Sequence, residues 1–226
     1  MPPDPAIYPS LLDQLNDFEK TQILQDDLVK ATQYVQNEQR KELQQQTGDM
    51  DSYLRSLETE IKIWEAAEEN LPRIHQLFSK TNQFNITTIR YSMAEIEEFA
   101  KSEDYDLTVI SASDRFGDIG IIATYLIDLR QKPSLEINSL IMSCRAMGRG
   151  IENAIINNVK TKYLIDKTGV EMSATYIPTP KNKPVVDLFE QQGFELLEKN
   201  EEGKKKYILK AESAKSLDSS WIKVIK

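Results

Sequence analysis

Between residues 135 and 163 the chain changes its apolar period, and this limits its fold more than any other feature of the sequence. Residues 135–143 read as an apolar strand. They lead into Cys144-Arg145-Ala146-Met147-Gly148-Arg149-Gly150, and then Ile151, Ala154, Ile155, Val159 and Tyr163 follow at helical spacing. A strand that passes through a glycine loop straight into an amphipathic helix leaves the helix's first amides without intrahelical acceptors, at the positive end of its dipole. Such an end favours phosphate. In Arg145-x-x-Gly148-x-Gly150 the glycines remove β-carbons where a pyrophosphate would approach, and the same string also suits a tight strand-to-helix turn in which glycine serves packing alone.

The flanking sequence supplies a sheet for this unit. Ile61, Ile63 and Ala66 alternate with polar residues as a half-buried strand does. Asn70-Leu71-Pro72 opens a helix carrying Ile74, Leu77 and Phe78, and after a loop at 81–88 a second helix carries Met93, Ile96, Glu97 and Ala100. Strands at 107–112, 119–129 and 135–143, separated by turn sequences, read as an antiparallel meander. Beyond the glycine loop come a strand at 172–177, a helix at 184–192 stopped by Gly193, and a hairpin of 194–197 with 206–209. The expected order is β-α-α-β-β-β-α-β-α-β-β, a mixed α/β sandwich with a mostly antiparallel sheet flanked by helices. Ahead of it, four prolines in nine residues give way to a polar helical stretch whose stripe of Leu28, Ala31, Val35 and Leu43 is too thin for a core, so it reads as a spacer or as a helix laid on a neighbour. The expected division is 1–58 extension, 59–211 domain and 212–226 tail.

Composition narrows the chemistry. His75 is the only histidine and Cys144 the only cysteine among 226 residues, which removes an internal disulfide, a four-ligand zinc site and an iron–sulfur cluster, so no metal is expected. Twenty-eight Lys and Arg against 36 Asp and Glu leave a formal charge of −8, the wrong global sign for a nucleic-acid partner. The longest apolar run, 119–127, is about half the roughly 20 residues that a membrane helix needs. The opening Met-Pro-Pro-Asp-Pro lacks the basic and apolar regions of a secretory signal, so the expectation is a cytoplasmic protein with no membrane partner.

The element order resembles the GNAT acyltransferase fold, in which a loop of the type R/Q-x-x-G-x-G/A after the fourth strand cradles the pyrophosphate of coenzyme A or of a carrier protein's phosphopantetheine. Asn182, then Val185, Leu188, Phe189 and Gly193-Phe194, is similar to that family's asparagine, helix and Gly-Phe ending; Phe189 stands where many members place a tyrosine as general acid. A closer resemblance is carried by residues 81–88 with Arg90-Tyr91, by Asp114-Arg115-Phe116-Gly117-Asp118, by 143–150, and by Tyr176-Ile177-Pro178-Thr179 with Lys181-Asn182. These ordered motifs resemble the C-terminal half of FkbH-like proteins. The resemblance implies a haloacid-dehalogenase-type (HAD) phosphatase followed by a GNAT-like domain, and the loading of a glyceryl unit onto an acyl carrier protein for polyketide building blocks. The phosphatase is not expected in this chain, as fragment or stand-alone relative: its only D-x-D-x-T string, from Asp104 to Thr108, precedes a strand where the phosphatase nucleophile ends one.

By resemblance, the residues expected to bind phosphopantetheine, of coenzyme A or of an acyl carrier protein, are Arg145, Ala146, Met147, Gly148, Arg149, Gly150 and Asn182. The acyl group is expected between the 135–143 and 172–177 strands, near the 82–88 loop. Asp114, Asp118 and Glu136 are the general-base candidates, each with an alternative role in a surface ion pair with Arg115. Asn82, Gln83, Asn85, Thr87 and Thr88 are dense enough in polar groups to bond either their own backbone or a polyol substrate. Cys144 reads as a small buried strand-end residue or a transient acyl carrier, and His75 as a partly exposed helix residue. Lys204-Lys205-Lys206 reads as a solvated hairpin edge, and the 221–225 segment as a short strand packed on the domain or held by a partner. Arg145, Arg149, Lys181 and Lys183 would receive an acidic carrier protein. The rival expectation is a non-catalytic module that docks the carrier for a phosphatase domain.

Overall fold

A computed structural model describes residues 30–225, so the expectations placed on the proline-rich opening and on Leu28 lie outside it. Helix α1 (Lys30–Gln46) and the short α2 (Met50–Ser56), capped by Asp49 Oδ1 on the Ser52 amide, precede the sheet. Strand β1 (Thr59–Glu65) leads to α3 (Leu71–Lys80), a two-residue strand β2 (Phe84–Asn85) and α4 (Met93–Lys101). Ser92 and Glu95 start α4 with a reciprocal capping box. The meander is β3 (Tyr105–Asp114), β4 (Gly117–Asp128) and β5 (Ser134–Met142). Helix α5 (Ile151–Tyr163), β6 (Glu171–Tyr176), the one-turn α6 (Leu188–Gln191), β7 (Glu195–Lys199), β8 (Lys205–Lys210) and β9 (Ile222–Ile225) complete the chain.

The strands form one sheet in the order β7-β8-β6-β5-β4-β3-β1-β9, with β2 added to β5. All pairings are antiparallel except β5–β6 and β1–β9. Apolar residues alternate across it. Leu107, Val109, Leu126 and Ile141 face α3 and α4, where Ile74, Leu77, Phe78 and Ile96 meet them. Ile110, Tyr125, Ile127 and Leu140 join the larger core under α5, with Ile151, Ala154, Ile155 and Val159. A third cluster, of Leu43, Tyr53, Leu54, Leu57, Phe116 and Trp221, fastens α1, α2, the β3–β4 turn and the C-terminal segment together.

Three expectations change. Residues 184–192 form a 3-10 turn (Lys183–Val185) and then one α-turn, because Pro184 opens the first and Asp187 separates the two. The lysine run is no sheet edge: β8 lies between β6 and β7, and Lys205 is drawn inward to Glu190 Oε1 at 2.8 Å and to the Val186 carbonyl. Cys144 is exposed rather than buried, since a 3-10 turn (Cys144–Ala146) has already left the sheet. Among the described residues no helix is long and apolar enough to cross a membrane, and no cluster of His, Cys, Asp or Glu is suited to a metal ion.

Candidate functional site

The glycine loop joins β5 to α5 as the sequence predicts. Gly148 (φ +76°) and Gly150 (φ +72°) both take the left-handed conformation that L side chains resist. A β-carbon on Gly148 would meet nothing within 4 Å, so the chain is open there. A β-carbon on Gly150 would lie 2.6 Å from the Trp221 ring, whose Nε1 donates to the Arg149 carbonyl at 2.9 Å. The loop is thus open at Gly148 and roofed at Gly150. Ser143 Oγ accepts from the Arg145 amide at its start, and exposed Lys181 and Lys183 flank Asn182 nearby in sequence.

Arg149 and Asp114 turn out to belong to each other. Arg40 donates from Nε to Asp114 Oδ2 (2.6 Å) and from Nη2 to Oδ1 (2.8 Å), Arg149 donates from Nη1 to Oδ2 (3.1 Å), and the Phe116 amide donates to Oδ1. The Asp114 side chain is fully buried. Burial, then the neighbouring Arg40 charge, lowers the Arg149 pKa, and the guanidinium faces the carboxylate inside the protein. Arg149 is therefore a tether of the loop, and Asp114 its anchor rather than a base.

The three carboxylate candidates do not converge. Asp118 starts β4, and its Oδ1 accepts from the Gly120 amide; Glu136 pairs with Asp128 at the other end of that strand. Ten residues of strand separate the two ends by about 30 Å. Asp118 lines a groove of about 460 Å³ with Glu60, Lys62, Ser111 and Ser113, and no glycine-loop residue lines it. Arg115, the partner expected for these acids, donates instead to the Ser56 carbonyl. Asp106 of the D-x-D-x-T string is buried in β3 and accepts from Lys162, Tyr163 and Thr108, a structural cluster.

The cleft between β5 and β6 carries the largest departure. The two strands pair only from Ser134/Glu171 to Ile137/Ala174 and then diverge. The gap is filled by the chain itself: Phe84 pairs with Met142, Asn85 with Ile141, the Ile86 amide donates to the Leu140 carbonyl (3.4 Å), and the Ile177 amide donates to the Ile86 carbonyl (2.9 Å). Asn182 latches this insert. Its Nδ2 donates to the Asn85 carbonyl (2.9 Å) and to the Ile177 carbonyl, and its Oδ1 accepts from the Thr179 amide and from Tyr176 OH. Every polar atom of the Asn182 amide is thus spent on the fold.

The polar run at 82–88 behaves likewise. Asn85 Oδ1 accepts from the Thr87 and Thr88 amides, Thr87 Oγ1 donates to the Asn138 carbonyl, Asn82 Oδ1 accepts from Arg90, and Gln83 points to solvent. Of the two roles expected for these residues the backbone-bonding one is present. Phe84 and Ile86 are 4% and 0% exposed within the α5-side core. Two such side chains hold the insert by about 3–6 kcal/mol. Phe189 is equally buried, against Phe194 and Tyr207.

Sequence reasoning missed Glu152. It lies in the first turn of α5, its Oε2 is buried with no hydrogen-bond partner, and burial raises its pKa. A carboxylate two residues after a glycine at a helix start was the available signal.

No family model and no curated protein matches the sequence. Solved structures do match the fold. A domain from Methanocaldococcus jannaschii aligns at 17% identity over 67% of this chain and 98% of its own, with a TM-score of 0.51. The spermidine N-acetyltransferase of Vibrio cholerae, solved in complex with CoA and spermine, aligns at 14% identity over 68% and 96%, also with a TM-score of 0.51. The chain therefore has the mixed α/β fold of GNAT acetyltransferases. The likeness to FkbH-like proteins rests on sequence motifs alone.

Proposed function

We propose that the chain is a GNAT-type acyltransferase domain that holds the phosphate end of a pantetheine-bearing ligand, coenzyme A or the phosphopantetheine of an acyl carrier protein, on loop 145–150. The observation that carries this reading is the open left-handed Gly148 just ahead of the 13-residue helix α5, whose first amides lack intrahelical acceptors. The fit is good for the phosphates and poor for the arm, because the β5–β6 gap holds residues 84–86. Bound in its acylated form, the ligand would supply an activated thioester carbonyl. The chain's own residues then have two tasks, to grip the phosphates with backbone amides and to aim the arm at β5. The FkbH-like motifs point to a glyceryl or other short acyl unit for polyketide building blocks, and to a HAD-type phosphatase and an acidic carrier protein as partners. Exposed Lys181 and Lys183 suit that carrier.

A second reading, a non-catalytic module that docks a carrier protein for the phosphatase, is favoured by the filled gap and by Phe189, which has no proton to give and lies in the core. Calorimetric titration separates the two. Binding of coenzyme A, or of only the phosphopantetheinylated carrier, supports the first, and equal binding of modified and unmodified carrier without coenzyme A supports the second. Gly148→Leu is expected to weaken coenzyme A more than tenfold while lowering stability by only about 1–3 kcal/mol, the cost of a side chain at positive φ.

A further inference from the structure

We infer that ligand entry at the β5–β6 gap is a strand exchange, in which an extended amide-bearing arm replaces residues 84–86. The inference rests on the reading of loop 145–150 as the phosphate site. From that loop an arm that follows the sheet must run back along β5. One edge of β5 is taken by β4 from Glu136 to Met142, and the first half of the other by β6. What remains is the edge at Leu140, Ile141 and Met142, against which β2 and Ile86 are paired. Removing the insert would free, besides its ladder partners Ile141 and Met142, the Leu140 carbonyl as an acceptor on one side of the gap, and the Ile177 amide and Asn182 Nδ2 as donors on the other. A pantetheine arm carries two amides, each with one N–H and one C=O, and so can replace the Ile86 backbone in kind.

The exchange is taxed by the core. Ile86 is fully buried and Phe84 nearly so, so the binding-competent state is a minor one and the apparent affinity falls by its population. The consequence runs against intuition, since a truncation that loosens the core should tighten ligand binding. Ile86→Ala in the full chain is expected to bind coenzyme A at least tenfold more tightly than the parent, with a lower Tm. Ile110→Ala, cut from the same core on β3, should lower Tm without changing affinity.

Hydrogen exchange on the unaltered protein gives a second measure should Ile86→Ala fail to fold. Saturating coenzyme A should speed exchange in a peptide covering residues 81–92. Binding by the parent with that peptide unchanged or slower, or Ile86→Ala no tighter than the parent, overturns the exchange and leaves the loop reading standing. No binding by the parent or by Ile86→Ala overturns both.

Discussion

Asp114 concentrates more consequence than any other side chain here. It balances two guanidiniums, Arg40 and Arg149, in a site closed to water, so the cluster carries a net charge of about +1. Asp114→Asn leaves both cations unbalanced and is expected to cost about 3–5 kcal/mol. Arg40→Met leaves a neutral pair and should cost less; urea denaturation of the two variants checks the order. Glu152 is the opposite case, a carboxylate that its surroundings disfavour. Its raised folded pKa means that the folded state holds the proton more tightly than the unfolded chain, so stability falls as pH rises from the unfolded value near 4.3 through the folded one. Glu152→Gln should raise Tm at pH 7, and the gain should vanish towards pH 4. Neither residue was legible in this role. Asp114 sits in a turn-like string that reads as exposed, and its partners lie 74 and 35 positions away, beyond any local pattern.

At the scale of elements, the local signals that were strong were also right. The alternation of Ile61 and Ile63 with polar neighbours and the helical spacing from Ile151 to Tyr163 each impose a period on consecutive side chains, and a period survives packing. Strand β2 has no period to show. It is two residues long, and its pairing is decided by β5 and by Asn182, almost a hundred residues later. The glycine loop was legible as a conformation, whereas its roof was not, because Trp221 reaches it from the far end of the chain. Gly150→Ala combines a positive φ with a 2.6 Å approach to that ring and is expected to cost about 2–4 kcal/mol. Trp221→Ala removes the clash but not the backbone strain. A double-mutant cycle should therefore show coupling of about 1 kcal/mol or more, and additive values would mean that the ring yields freely.

For the molecule as a whole, the extension and the tail expected at 1–58 and 212–226 are, where described, packed into the domain they flank. Leu43 of α1, Tyr53 and Leu54 of α2 and Trp221 share one cluster, and Lys160, fully buried in α5, donates to the Lys215 carbonyl. Calorimetry should accordingly show a single transition, with no separate melting of the helical extension. Separate transitions would mean that the Asp114 cluster couples α1 to the sheet only weakly.

The parallel pairing of β1 with β9 also sets an order of events during synthesis. Residues 59–62 meet residues 222–225, so this contact spans about 160 positions, whereas β3, β4 and β5 close with their neighbours through short turns. Loop closure over such a span comes late. While the chain is being made, β1 can dock on β3 but keeps its outer edge unpaired until residue 225 has emerged. That interval is when a nascent chain is most open to pairing with another copy of itself, and when a chaperone would have most to shield.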